Sequence, residues 1–205
     1  MNRTLLLAIA RGTCLSVAFL VVGCQQEQAG SLVEPQTNES DAVTIVEDSQ
    51  PTEEQRGALL AAKDALFQQL SGKLMAAMAQ GPAEAIAVCQ KESSEIARSV
   101  GEEQGVNIGR VGVRLRNPKN TGPAWAASMV ESQQDTPVFA NLSNGNAAAL
   151  LPIKLQGQCL MCHGSKQQIA PTIQDQLAKL YPNDQATGFR EGELRGWFWV
   201  EQVTQ

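Results

Sequence analysis

The chain has 205 residues, with 16 Lys and Arg against 21 Asp and Glu, and a formal net charge of −5. An acidic balance of this size argues against nucleic acid and anionic lipid surfaces as partners, because both select for basic faces. There is one histidine and there are five cysteines, so any site that needs two imidazoles is excluded at once.

Residues 1–23 contain Arg3 and Arg11, no acidic residue, and an apolar stretch from Leu15 to Val22. This is the charged region and short apolar core of an export signal, too short to be a stable spanning helix. An uncleaved amino-terminal anchor is the alternative, and it too places the domain outside the cytoplasm. The stretch ends in Val21-Val22-Gly23-Cys24, which resembles the lipobox of bacterial lipoproteins. That resemblance implies cleavage before Cys24 and acylation of this residue, giving a membrane anchor of several chains where one would bind only marginally. Gln25 stands where an inner-membrane retention signal places Asp, which implies the periplasmic face of the outer membrane rather than the inner.

Without the leader, 14 basic residues face 21 acidic ones, a net charge of −7. Residues 24–50 are expected to be the lipidated Cys24 and a disordered acidic tether. The 26 residues after Cys24 are rich in Gln, Glu, Ser and Asn and hold no basic or aromatic residue, so they cannot bury enough apolar surface to order. A flexible tether of that length has an r.m.s. span of about 28 Å. Residues 51–205 then form one domain, long enough to bury roughly 70% of its unfolded-chain surface.

Within that domain, Thr52-Glu53-Glu54-Gln55 is a capping box, and Leu59, Ala62, Leu66, Leu70, Leu74 and Met78 continue a helical stripe to about Gln80. Met75 and Met78 fit that core stripe. Gly81-Pro82 starts a second helix, on which Ile86, Cys89 and Ile96 fall at spacings of three and seven, so that Cys89 points along the apolar face. Val106, Ile108, Val111, Val113 and Leu115 read as a strand with a bulge or turn near Gly109. Pro123 opens a short helix through Met129. Thr136–Leu142 and Ala148–Leu155 form a hairpin around Asn144-Gly145. A helix spans Thr172–Leu180, and Leu194–Val203 is a strand with Trp197 and Trp199 on one face. Helices flanking an antiparallel sheet define an α+β domain.

Between the hairpin and the last helix lies Cys159-Leu160-Met161-Cys162-His163. C-x-x-C-H is the pattern of covalent c-type haem attachment. Two thiols three positions apart on one helical turn lie on the same side of the backbone and can both form thioethers to one porphyrin edge. The next residue, His163, then offers the iron its proximal imidazole. A zinc site or a dithiol pair is the alternative. Zinc would need Cys159, Cys162, His163 and a distant cysteine around one ion, and adjacent Cys162 and His163 rarely aim at one tetrahedral centre.

With Cys14 in the leader, Cys24 lipidated and two cysteines on haem, Cys89 is left over. It is either a small buried hydrophobe or the second axial ligand. Met75, Met78 and Met129 are the other sulfur candidates, since Met161 lies inside the attachment loop.

Four segments together resemble a bacterial family of single-haem c-type cytochromes of PAS-like fold, found free-standing in cyanobacteria and as sensor portions of histidine kinases. They are Ala87-Val88-Cys89; Gly109-Arg110 through Arg116-Asn117-Pro118-Lys119-Asn120 to Trp125; Cys159 to Gly164; and Tyr181-Pro182-Asn183-Asp184-Gln185-Ala186-Thr187-Gly188-Phe189 with Gly192 to Gly196. The resemblance implies a PAS-like antiparallel sheet flanked by helices, one covalent haem c, and Cys89 as sixth ligand. Gly112, where Ser is usual, and Ala126, where Glu is usual, depart from the pattern.

Arg110, Arg114 and Arg116 alternate onto one side if no bulge intervenes. They are either a solvated basic face or partners for the haem propionates, which guanidinium forks match bidentately. Trp125, Trp197 and Trp199 are core residues in preference to walls of a haem pocket. A monohaem cytochrome anchored at the periplasmic side of the membrane can carry electrons to periplasmic redox proteins, or sense redox state or a small gas through a separate partner. A peroxidase-type enzyme would need a distal acid–base group, usually His, and none remains.

Overall fold

A computed structural model describes residues 42–203. The expected signal peptide and the Cys24 lipidation site lie outside the described residues. Helix α1, Glu53–Met78, begins at the expected capping box: the Thr52 hydroxyl accepts from Gln55 N, and the Gln55 side chain accepts from Thr52 N at 2.8 Å. Helix α2, Pro82–Gln104, starts after Gly81 and stops at Gly105, whose left-handed φ of 65° suits a residue without a Cβ. Strand β1, Val106–Gly112, follows directly. A 3-10 turn at Ala124–Ala126 leads into short helix α3, Ala127–Glu131. Strands β2, Val138–Asn141, and β3, Ala147–Lys154, form the hairpin around Asn144-Gly145. After β3, a 3-10 turn at Gly157–Cys159 runs into the one-turn helix α4, Leu160–His163. Helix α5, Pro171–Leu180, and strand β4, Leu194–Gln202, complete the chain.

The four strands form one antiparallel sheet in the order β1-β4-β3-β2, so the domain is α+β, an arrangement consistent with a PAS-like fold. Both faces of the sheet are apolar. Val106, Ile108, Ala149, Leu151, Phe198 and Val200 pack against Leu59, Ala62 and Leu66 of α1 and Val100 of α2. On the other face Val111, Ala148, Leu150 and Trp197 pack with Trp125, Ala126 and Leu142. Among the described residues, no helix is long and apolar enough to cross a membrane.

Four expectations need correction. There is no bulge or turn at Gly109: β1 pairs with β4 without interruption from Val106 to Gly112. The apolar pattern changes parity between Ile108 and Val111 because the strand is buried on both faces, so each residue type serves a different layer. Gly109 is required for another reason: a Cβ there would lie 2.6 Å from the Trp199 ring. The assigned tether ends too late, since Ile45 bridges Leu142, Val46 N donates to Asn141 O at 2.8 Å, and Val43 packs on the second core layer. Met75 is not in the core. It is 66% exposed, because α1, about 39 Å long at 1.5 Å per residue, runs past the sheet and leaves its last turns against α2 alone.

The fourth correction concerns the arginines. Strand β1 ends at Gly112, so alternation reaches only Arg110, while Arg114 and Arg116 lie in the following loop. The irregularity expected at Gly109 is instead on β4, where pairing steps from Ile153–Gly196 to Lys154–Leu194 and leaves Arg195 as an extra residue. Gly196 has φ 155°, and a Cβ there would fall 2.1 Å from Val111 O. Gly196→Ala is therefore expected to cost about 2–3 kcal/mol, since neither backbone can retreat without breaking the ladder. For a domain of this size that is a fall of roughly 5–10 °C in Tm, measurable by circular dichroism. Gly145→Ala, at an open turn with nothing near its Cβ position, should cost less than Gly196→Ala despite its φ of 85°.

Candidate functional site

The C-x-x-C-H turn sits between two apolar patches. Cys162 packs against Ile86 of α2 and against Ile169, Ile173 and Leu177 from α5 and the segment before it. Cys159 faces Leu155, Ala186 and Phe189. Both thiols, and that of Cys89, are free. Met161, between the two cysteines, is 44% exposed.

The His163 ring is fixed from behind. Its Nδ1 lies 2.7 Å from the Ala186 carbonyl oxygen. A carbonyl can only accept, so Nδ1 carries the proton and Nε2 keeps its lone pair. The segment that supplies Ala186 is tied to the C-x-x-C-H turn by two further bonds, Gly188 N to Gly164 O at 2.7 Å and Phe189 N to His163 O at 2.9 Å. Phe189 meets the imidazole edge to face, with centroids 6.3 Å apart. Burial, with the Arg116, Arg195 and Arg110 guanidiniums adding to it, pushes the His163 pKa down to about 3. The ring is thus a neutral imidazole at neutral pH, the form a metal requires.

Arg116 organises the same loop. Its Nε donates to Asp184 Oδ2 at 3.0 Å, and its Nη2 donates to Cys162 O at 2.6 Å and Ala186 O at 3.3 Å. Asp184 Oδ1 in turn accepts from Ala186 N at 2.8 Å. The Tyr181–Phe189 run singled out in the sequence therefore has a physical basis: Asp184 anchors Arg116, and Ala186 orients His163. Arg114 lies 3.8 Å above the Phe189 ring, a stacked position rather than a forked one.

Cys89 is half-buried on α2 and belongs to the same electrostatic group. Burial raises its pKa, opposed by the Arg110 and Arg116 guanidiniums. The Cys89 thiol in turn acts on Cys162 and on Tyr181. The structure thus gathers Cys89, Arg110, Arg116, Cys159, Cys162 and His163 into one region. Met129 packs instead on the far layer of the sheet, with Trp125 and Trp197. Trp125 and Trp197 are core residues there: the Trp197 indole donates to Gln134 O at 2.6 Å, and the Trp125 indole donates to Glu201 at 3.2 Å.

Arg195 is the site residue that the sequence analysis does not name. Burial and the neighbouring Arg116 and Arg110 guanidiniums push its pKa down to about 10, with Asp184 acting the other way. Its only signal in the sequence is the following Gly196, which permits the bulge. Among the described residues, no three His, Cys, Asp or Glu side chains are grouped to hold a metal ion by themselves. That arrangement does not serve zinc, which needs four ligands.

A family model described as Tll0287-like matches residues 28–202. Among solved structures, the cyanobacterial heme-protein Tll0287 matches with a TM-score of 0.55 at 24% identity, over 76% of this chain and 99% of that one. At that identity the likeness speaks for the fold. No curated protein sequence matches the chain.

The Arg116–Asp184 pair is largely enclosed, with side-chain exposures of 13% and 9%. Asp184→Ala would leave a guanidinium without its carboxylate and Ala186 N without its acceptor. The expected loss is about 3 kcal/mol in urea unfolding. Glu95→Ala, which removes an exposed partner of Arg98, should give no measurable change.

Proposed function

As the chain belongs to the Tll0287-like family, we propose that it is a haem-binding protein: a monohaem c-type cytochrome acting in electron transfer or redox sensing. The observation that carries the reading is the His163 imidazole. It sits at the end of a turn bearing both cysteines, and its Nδ1 proton is committed to Ala186 O, which leaves Nε2 for a metal. Cys159 and Cys162 are the thioether positions, His163 the proximal ligand and Cys89 the sixth ligand. The heme-protein description of the solved relative supports haem binding as such.

Bound haem supplies a one-electron couple at its iron. What this chain contributes is orientation, burial and charge. The Ala186 carbonyl holds the imidazole plane and increases its basicity as a donor to metal. Ile86, Ile169, Ile173 and Leu177 exclude water from the side where the attachment turn meets α2 and α5. Cys89 offers a soft sulfur; burial raises its pKa, and the adjacent Arg110 and Arg116 oppose that rise. A thiolate stabilises ferric over ferrous iron, so a low potential follows. The amino-terminal pattern ending at Cys24 supports attachment to the periplasmic side of a bacterial membrane, preferentially the outer one. There the acidic chain would meet basic redox proteins in weak, short-lived encounters.

Substitution at the two axial positions tests the reading. Cys89→Ala should retain covalent haem while the Soret band shifts and the potential rises, whereas an unchanged spectrum would mean that the thiol is core packing. His163→Ala should abolish the low-spin spectrum, and a surviving low-spin signature would contradict the axial assignment.

A further inference from the structure

The bulge on β4 has a consequence for charge. Arg195, the extra residue between Leu194 and Gly196, lays its guanidinium across the α-carbon of Gly112, where a Cβ would lie 2.5 Å from Nη1. Gly112 and Arg110 are two residues apart on β1 and share a face, the one occupied by Val106 and Ile108 under the helices. Strict alternation would have sent Arg195 to the side of Trp197. The bulge brings it instead to the side of Arg110, and re-aiming a side chain is what bulges near functional sites commonly do.

These two arginines differ from their neighbours in what they hold. Arg116 donates to Asp184 and to two carbonyls, and Arg114 is stacked on Phe189. The Arg195 side chain makes one hydrogen bond, to the Arg114 carbonyl at 3.0 Å, and lies over the same Phe189 ring at the longer distance of 5.7 Å from its centroid. The nearby carboxylate acting on it, Asp184, is already paired with Arg116. Arg110, partly buried, faces the Cys89 thiol and the Tyr181 phenol rather than a carboxylate. Asp184 is thus the one carboxylate shown to act on these guanidiniums, and Arg110 and Arg195 have no ion pair among the described residues. Partly buried cations left in that state oppose folding, whereas a ligand with two carboxylates would neutralise both.

We infer that Arg110 and Arg195 are the carboxylate clamp of the site, taking the two propionates of the porphyrin, while Arg114 and Arg116 hold the protein framework. The inference rests on the haem-binding function proposed above. It divides the arginines by role: Arg116 positions the attachment turn, and the pair on the sheet binds ligand.

The test uses the full chain expressed with haem-maturation machinery, comparing Arg110→Gln and Arg195→Gln with Arg190→Gln, an exposed arginine. Each of the first two should lower the midpoint potential and shift the propionate bending band in resonance Raman spectra, because ferrous haem carries one more negative charge than ferric. Arg190→Gln should do neither. Should the glutamine variants fail to load haem, Arg110→Lys and Arg195→Lys keep the charge but lose the fork. A potential near wild type with a shifted propionate band would then support the clamp, and an unshifted band would overturn it. Loaded glutamine variants indistinguishable from Arg190→Gln would overturn the arginine assignment alone. A wild-type intact mass without covalent haem would overturn the haem reading as well.

Discussion

The Ala186 carbonyl is the point on which the site depends. It accepts the Nδ1 proton of His163 and a second bond from Arg116, so one oxygen fixes both the ring plane and the hub that ties Cys162 to Asp184. Ala186 itself is fully buried, and its N–H is held by Asp184. The imidazole is therefore held by a closed ring of hydrogen bonds around residues 162, 184 and 186, not by its own short helix. A helix of one turn has no stability of its own, and this external bracing explains how Leu160–His163 can present a ligand at all.

Charge adds a second constraint. The site concentrates arginines from three places in the sequence: the end of β1, the loop after it and the bulge on β4. Placed in a partly buried interior beside one carboxylate, they are desolvated and repel one another, and burial first and repulsion second depress the pKa of Arg195. On the proposed function this unfavourable arrangement is the apo side of a binding equilibrium, since a dianionic ligand converts repulsion into pairing. Burial, with the same positive field adding to it, keeps His163 neutral, while at Cys89 the field opposes the burial that favours the protonated thiol.

Much of the architecture was legible in sequence because it rests on local signals. The capping box at Thr52, the Gly81-Pro82 start, the Asn144-Gly145 turn and the β4 run each depend on residues within a few positions of one another. Readings that needed knowledge of the layers failed. Parity along β1 looked like a bulge because one-sided burial was assumed, whereas both faces are covered. Met75 satisfied the helical stripe but lies beyond the sheet that would have covered it. Alternation of the arginines presumed a strand that stops at Gly112. Arg195 left no periodic signal at all, because its direction is set by Gly196 and the pairing of another strand. Of the candidate site, the C-x-x-C-H turn was read from spacing and Cys89 was singled out by cysteine count, its ligand role being implied only by the family resemblance. The Asp184–Arg116–Ala186 brace was visible only as a run of residues without a mechanism.

The central claim is that the turn at Cys159–His163 carries a covalent haem. The most direct measurement is a pyridine haemochrome spectrum of the full chain, expressed with haem-maturation machinery and extracted with acid–acetone. Haem that stays with the protein and shows a c-type α-band is the predicted result. Colourless protein, or haem removed entirely by the extraction, would contradict the account.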